Sequence, residues 1–319
     1  LGLHKTGSSA IQSFLGLNHR LFLSKGIYIP FKKETNPGKR DIHHYIAQSF
    51  KNESTKRFSD LLSEIIKRSK NNNKIIISSE MLSEQWVDDL KLKSLLFNYF
   101  EEIKVVIYLR RQDHLISSAY NQSIKAGRKE MFDVRGKVYK NLDFYKLLNK
   151  YAELYGLEQI VIGLYEKGQL FNNNIYSDFL KLCSIPENTD FTVPKFNPNP
   201  SLSLEALEFL RLANNILTRD YQFVLRKILI KYTQQKEITN TFFTNDFLTD
   251  SERQQILNEY RIGNSLVAKD FFDRKNKILF YEKDKYKYDY PQTIKLEDRL
   301  SNGVVLDIIH FIKEQDNYV

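Results

Sequence analysis

Apolar and polar positions alternate along the first half of the chain in two rhythms. Residues 27–29, 74–79, 105–109 and 160–164 are short runs rich in β-branched side chains, with little polar interruption. Such runs mark strands buried on both faces of a parallel sheet. Residues 1–3 read as the tail of one more strand, so the chain opens in mid-strand and its natural N-terminus is expected further upstream. Between the runs, residues 10–17, 58–68 and 115–125 carry helical patterns. Strands alternating with helices predict βαβ units and hence an α/β fold, a doubly wound parallel β-sheet flanked by helices.

From Pro194 the pattern changes. Pro194, Pro198 and Pro200 mark a linker, and Ser203 is placed to cap a helix carrying Leu204, Leu207 and Leu210. A second helical block covers 223–232. A third opens with Thr249 and Glu252 at capping-box spacing and runs towards Phe272. Residues 201–275 are thus expected to form a helical C-terminal subdomain, or lid, within a single domain spanning 1–319. No internal repeat is visible, and the Lys/Tyr/Asp-rich stretch 281–290 reads as a solvated loop.

Composition narrows the field. Hydrophobic residues at 42% and charged residues at 27% are ordinary for a globular chain that buries a core. Cys183 is the single cysteine, so a disulfide framework and a thiolate metal cluster are excluded, which fits a reducing, cytoplasmic setting. No apolar run approaches the roughly 20 residues of a transmembrane helix. The 48 basic and 39 acidic side chains leave a net charge of +9, which favours anionic partners: a nucleotide, a sulfated or phosphorylated glycan, or peripheral contact with a membrane surface. Nucleic acid is not the expected partner, because no basic groove-facing helix or zinc-finger spacing is present. The abundance of Lys, Asn, Ile, Phe and Tyr matches the bias of an AT-rich genome, so the aromatics carry little functional weight.

The chemistry starts at the N-terminus. Lys5-Thr6-Gly7-Ser8-Ser9 joins a strand end to a helix start. Gly7 permits a tight turn, the amides after it point along the helix axis, Ser8 and Ser9 add hydroxyl donors, and Lys5 adds a charge. This is an anion cradle; the bland alternative is a strand–helix turn capped by serine. A Walker A loop is disfavoured, since Gly2 and Gly7 have its spacing but Ser8 stands where its lysine belongs. The later runs end in Ser79-Glu80, Leu109-Arg110 and Tyr165-Glu166, with no aspartate to hold a Mg²⁺-bound water.

A second basic element follows the run 105–109, which ends in Arg110 and Arg111. Ligands of open α/β sheets bind at the carboxyl ends of strands, which puts Arg110 where a phosphate would sit. Ser118, eight positions on, is placed on the following helix to reach the same group. The alternative is an arginine capping the sheet edge by pairing with Asp113.

Together, Lys5-Thr6-Gly7-Ser8-Ser9 and Arg110 with Ser118 resemble the sulfotransferases that use 3′-phosphoadenosine 5′-phosphosulfate (PAPS). In that family a Lys-x-Gly-Thr/Ser-Thr/Ser loop holds the 5′-phosphosulfate, and a later strand ending in Arg, with Ser eight residues on, holds the 3′-phosphate. Tyr120 also matches a family pattern. Residues 4–12, 109–113, Phe179-Leu180, Asn199-x-Ser201-Leu202 and 260–280 resemble, more narrowly, a bacterial branch associated with surface polysaccharides. The resemblance implies a P-loop-like sulfotransferase fold and metal-independent, in-line transfer of a sulfuryl group from PAPS to an acceptor hydroxyl. The acceptor it implies is a bacterial surface carbohydrate, with other hydroxyl-bearing small molecules left open. Lys5 would balance charge on the leaving oxygens, and Thr6, Gly7, Ser8 and Ser9 would hold the phosphosulfate. The family's late Gly-rich basic segment has no counterpart here, so the residues that enclose the adenine stay open.

Such a transfer needs a base for the acceptor's proton. Glu80, just past the run 74–79, is the first candidate; its bland role is to cap the next helix or pair with a basic neighbour. His44 and His43 are rivals with a suitable ordinary pKa, following the polar loop 32–41. His4 is read as orienting the loop; Trp86 has the surface to stack on a sugar, though a lone tryptophan is more often core. Two other functions stay open: a P-loop nucleotide-dependent kinase or NTPase, and a non-catalytic module binding polyanionic glycan or nucleic acid.

Overall fold

The computed structural model describes residues 5–30, 43–51, 55–70, 72–83, 87–133, 142–187, 190–194, 201–239, 247–281 and 300–316. The expected first strand 1–3, His4, the loop 32–41, Trp86, the linker 195–200 and nearly all of 281–290 lie outside these residues. The chain divides into two compact units. The first takes Leu1–Arg111, Phe144–Pro198 and Gly263–Glu282; the second takes Gln112–Asp143, Asn199–Ile262 and Lys283–Val319.

The first unit is mixed α/β. In chain order it holds α1 (Ser8–Leu17), α2 (His19–Ser24), β1 (Ile27–Tyr28), α3 (His44–Lys51), α4 (Thr55–Ser69), β2 (Lys74–Ile75), a 3₁₀ turn at Glu80–Ser83, α5 (Asp89–Phe97) and β3 (Val105–Leu109). After the excursion into the second unit come α7 (Phe144–Tyr155), β4 (Ile160–Leu164) and α8 (Ile175–Leu182). Both strand pairs are parallel. β1 lies on β2 with Ile27 opposite Lys74, and β3 lies on β4 in register from Val105–Ile160 to Leu109–Leu164. Instead of one wide sheet, the described residues thus form two two-stranded parallel sheets.

Two apolar clusters organise this unit. Phe14 and Leu15 of α1, Phe22 of α2, Ile27 of β1, Tyr108 of β3 and Phe179 and Leu180 of α8 share one core, so both sheets give side chains to the same layer. On the other side of the β1–β2 pair, Ile46, Phe50, Phe58, Leu62 and Leu92 gather α3, α4 and α5 against Tyr28, Ile75 and Ile77. Helices on both faces explain why the strands read as unbroken apolar runs.

β1 and β2 are shorter than their apolar runs for a local reason. Pro30 has no N–H to give a ladder. Beyond Tyr28 a side chain takes over: the His43 imidazole accepts from Ser78 N–H through Nδ1 at 2.7 Å and donates from Nε2 to the Pro30 carbonyl at 2.9 Å. Each ring nitrogen thus has a fixed role, and the imidazole stands in for the missing strand-to-strand bonds.

The second unit is helical where described. It contains α6 (Gln112–Lys125), α9 (Leu204–Ala213), α10 (Arg219–Thr239), most of α11 (Asp250–Asp270) and α12 (Asn302–Asp316). Tyr120, Ile124, Leu207, Leu229, Ile256 and Ile308 are among its core residues. Ser203 caps α9 by accepting from Ala206 N–H at 3.2 Å. The capping box closes too: Thr249 N–H donates to Glu252 Oε2 at 2.8 Å, and Glu252 N–H donates to Thr249 Oγ1 at 3.2 Å. Helices within 201–275 therefore sit largely in this unit, but it also enlists 112–143 and 283–319, and the end of α11 belongs to the first unit. No helix among the described residues is long and apolar enough to cross a membrane.

Candidate active site

The anion cradle is built by backbone conformation. Lys5 and Gly7 both lie in the left-handed region, at φ +68° and +87°. Gly7 is the N-cap of α1, and its carbonyl accepts from both Ala10 N–H and Ile11 N–H. Among the described residues no side chain caps this helix start, and its first turn holds no acidic residue, so the positive end of α1 favours an anion. Thr6 is buried, while Lys5, Gly7, Ser8 and Ser9 are partly exposed.

Gly7 is required twice over. A β-carbon there would lie 2.9 Å from Tyr165 Cε2, inside any real contact distance, and its φ is one that other residues adopt only with strain. Tyr165 follows β4 and continues the ladder by donating its N–H to the Leu109 carbonyl at 2.7 Å. Its ring also lies under the Arg110 guanidinium, 5.4 Å from the centroid. Arg110 in turn donates from Nη1 to the Lys5 carbonyl at 3.0 Å. The end of β3 and the turn before α1 therefore meet, and the arginine stabilises the left-handed conformation of Lys5. Asp113, the partner considered for Arg110 from sequence, forms a fully buried ion pair with Arg253 of α11. Ser118 lies on α6 in the second unit, half-buried.

The acid–base candidates form a second group on the same unit. Glu80 opens the 3₁₀ turn after β2. Its Oε2 accepts from Gln12 Nε2 of α1 at 3.0 Å, and its Oε1 lies 3.6 Å from His44 Nε2. His44 Nδ1 lies 2.9 Å from Ser79 Oγ, which fixes the ring. Glu80 and His44 keep 13% and 19% side-chain exposure, so each retains a path to solvent. Glu80 and His44 are thus one assembly, and Gln12 ties it to the helix that begins at the cradle.

His43 has a different part. It is fully buried, both ring nitrogens are bonded to backbone, and burial pushes its pKa down to about 4, only partly opposed by the Pro30 and Ser78 contacts. It is a neutral structural bridge, leaving Glu80 and His44 as the base candidates. Sequence reasoning gave no role to Gln12, Ser79 or Tyr165. Gln12 did leave a signal: it is a polar residue on the face of α1 that carries Ile11 and Leu15, and it is buried. Tyr165 could be noticed only as the first residue beyond a strand.

Among the described residues no group of three His, Cys, Asp or Glu side chains could hold a metal ion. A cavity of about 200 Å³ lined by Leu157, Ile160, Ile162, Asp270, Phe271 and Phe272 opens beside the first residues of β4. The cradle is at the strand's other end.

Comparison with known proteins finds a relative among curated sequences. An uncharacterized protein of Archaeoglobus fulgidus is 28% identical over 218 residues, covering 66% of this chain and 57% of its own length. The chain thus matches less than two thirds of that relative. No family model matches the chain. No solved structure matches it either.

Proposed function

We propose that the chain is a sulfotransferase of P-loop-like fold that moves a sulfuryl group from PAPS to an acceptor hydroxyl, with a bacterial surface carbohydrate as the acceptor. One observation carries the reading: Arg110 at the end of β3 donates to the Lys5 carbonyl at 3.0 Å. A forked cation and a Lys-x-Gly-Ser-Ser turn thereby share one locus, which suits a ligand carrying two anionic groups.

PAPS would supply an activated sulfuryl group on a phosphate leaving group. The residues of the chain then divide the work. The amides and hydroxyls of Gly7, Ser8 and Ser9 hold the 5′ end, Lys5 offsets charge on the departing oxygens, and Arg110 grips the 3′-phosphate. Glu80, held by Gln12 and accompanied by His44, takes the acceptor's proton. Ser118 is assigned to the 3′-phosphate by family resemblance alone.

The test is thermal shift with 3′-phosphoadenosine 5′-phosphate against AMP, ADP, and ATP with Mg²⁺. A marked preference for the 3′-phosphorylated nucleotide is expected. Stabilisation by ATP with Mg²⁺ accompanied by its hydrolysis, or salt-sensitive polyanion binding without nucleotide preference, would defeat the reading.

A further inference from the structure

We infer that the tip of the α9–α10 hairpin docks on an anionic phospholipid bilayer. α10 turns Leu225, Leu229, Tyr232 and Thr233 into the core of the second unit. Its first turns and the link before them show apolar side chains to solvent instead: Ile216 is 84% exposed, Tyr221 67%, Val224 53%, and Leu212 and Phe223 48% each. These residues fall within positions 212–224, whereas the other exposed large apolar side chains, Leu90, Ile262 and Leu306 among them, are spread along the rest of the chain, so this stretch concentrates them.

Charge selects the occupant. Arg219, Arg226, Lys227 and Lys231 lie in the same stretch, with Asp220 as the one acidic residue between Leu212 and Lys231. Lys227 Nζ and Arg226 Cζ sit 4.3 and 5.0 Å from the centroid of the Phe223 ring, so two cations lie against one exposed aromatic side chain. Exposed aromatic and aliphatic side chains accompanied by Lys and Arg match the interface of a bilayer. There the rings enter the headgroup boundary while the cations stay with the phosphates. A second copy of the chain fits poorly, because a two-fold contact would set Arg219, Lys227 and Lys231 against their own like. Nucleic acid would engage the cations yet leave Ile216 and Val224 in water. The surface would dock whatever reaction the chain performs.

The test is pelleting of the full chain with vesicles of phosphatidylcholine alone or mixed with phosphatidylglycerol, across a salt series. Binding to the mixed vesicles only, weakened by salt, is expected. Lys227→Ala with Lys231→Ala should lower it on the order of tenfold. Phe223→Ser with Val224→Ser should abolish it, with an unchanged far-UV circular dichroism spectrum confirming that the variants fold. Several results would overturn the inference: no pelleting, pelleting that neither set of substitutions alters, a dimer that the Phe223 and Val224 substitutions dissociate, or RNA bound in preference to vesicles.

Discussion

Gln12 Nε2 donates to Glu80 Oε2 at 3.0 Å, across 68 residues of sequence. Because α1 begins at the Lys-Thr-Gly-Ser-Ser turn, this bond sets the distance between the proposed base and the anion cradle. Glu80→Gln is expected to lower sulfuryl transfer by about 10²–10⁴ while nucleotide binding persists. Gln12→Leu should lower kcat by about tenfold, the worth of a hydrogen bond to a charged group, with KM for PAPS little changed. Steady-state kinetics separate these outcomes; a Gln12→Leu enzyme with wild-type kcat would leave the bond no positioning role.

Arg110 and Lys5 adjoin, yet they are assigned different work. Arg110→Ala should erase the preference for a 3′-phosphorylated nucleotide in thermal shift, and Arg110→Lys should restore it only in part because an ammonium lacks the fork. Lys5→Ala should instead depress turnover on the order of 10²–10³ while nucleotide affinity is largely kept. Equal losses of binding in both would contradict the division.

Gly7→Ala confronts two separate penalties, the left-handed φ of +87° and the 2.9 Å approach to Tyr165. The conformational part alone is expected to cost about 1–2 kcal/mol. Adding Tyr165→Ala should relieve the steric part and leave the conformational part, so a urea-denaturation double-mutant cycle should show coupling between the two sites. Simple additivity would place the ring elsewhere.

His43 makes stability depend on pH. Its folded pKa of about 4 lies below the ordinary value of 6.5, so between these values the unfolded chain binds the extra proton. The contribution is therefore complete above pH 6.5 and is lost as pH falls towards 4, by an amount on the order of 3 kcal/mol. Urea midpoints at pH 7, 6 and 5 should fall steeply for the native chain and less so for His43→Gln, which titrates nothing there. Parallel slopes would argue that His43 is not held neutral.

How much could be read from the chain differs from element to element. β3 and β4 coincide with their apolar runs, since the two pair in register over all five residues of each run. Ser203 and the Thr249–Glu252 box cap helices as their spacing implies, because a cap involves residues only three apart. β1 and β2 fall short of their runs because the His43 side chain supplies the bonds beyond Tyr28, and hydrophobicity does not register a side-chain substitute for a peptide.

The sequence by itself determined the local devices: the αL turn at Gly7, the strand that delivers Arg110, the capped helices and the surplus of positive charge. Each depends on neighbours a few residues away, where the backbone has few choices. Only the tertiary structure decided that Arg110 reaches the Lys5 carbonyl, that Glu80 and His44 form one assembly through Gln12 and Ser79, and that His43 is structural. Those partners are 13 to 105 residues apart, and nothing in local propensity chooses among the many polar groups a chain could bring together. Packing of the apolar layers makes that choice, because burying Phe14, Tyr108 and Ile46 leaves one arrangement in which the polar groups beside them find partners.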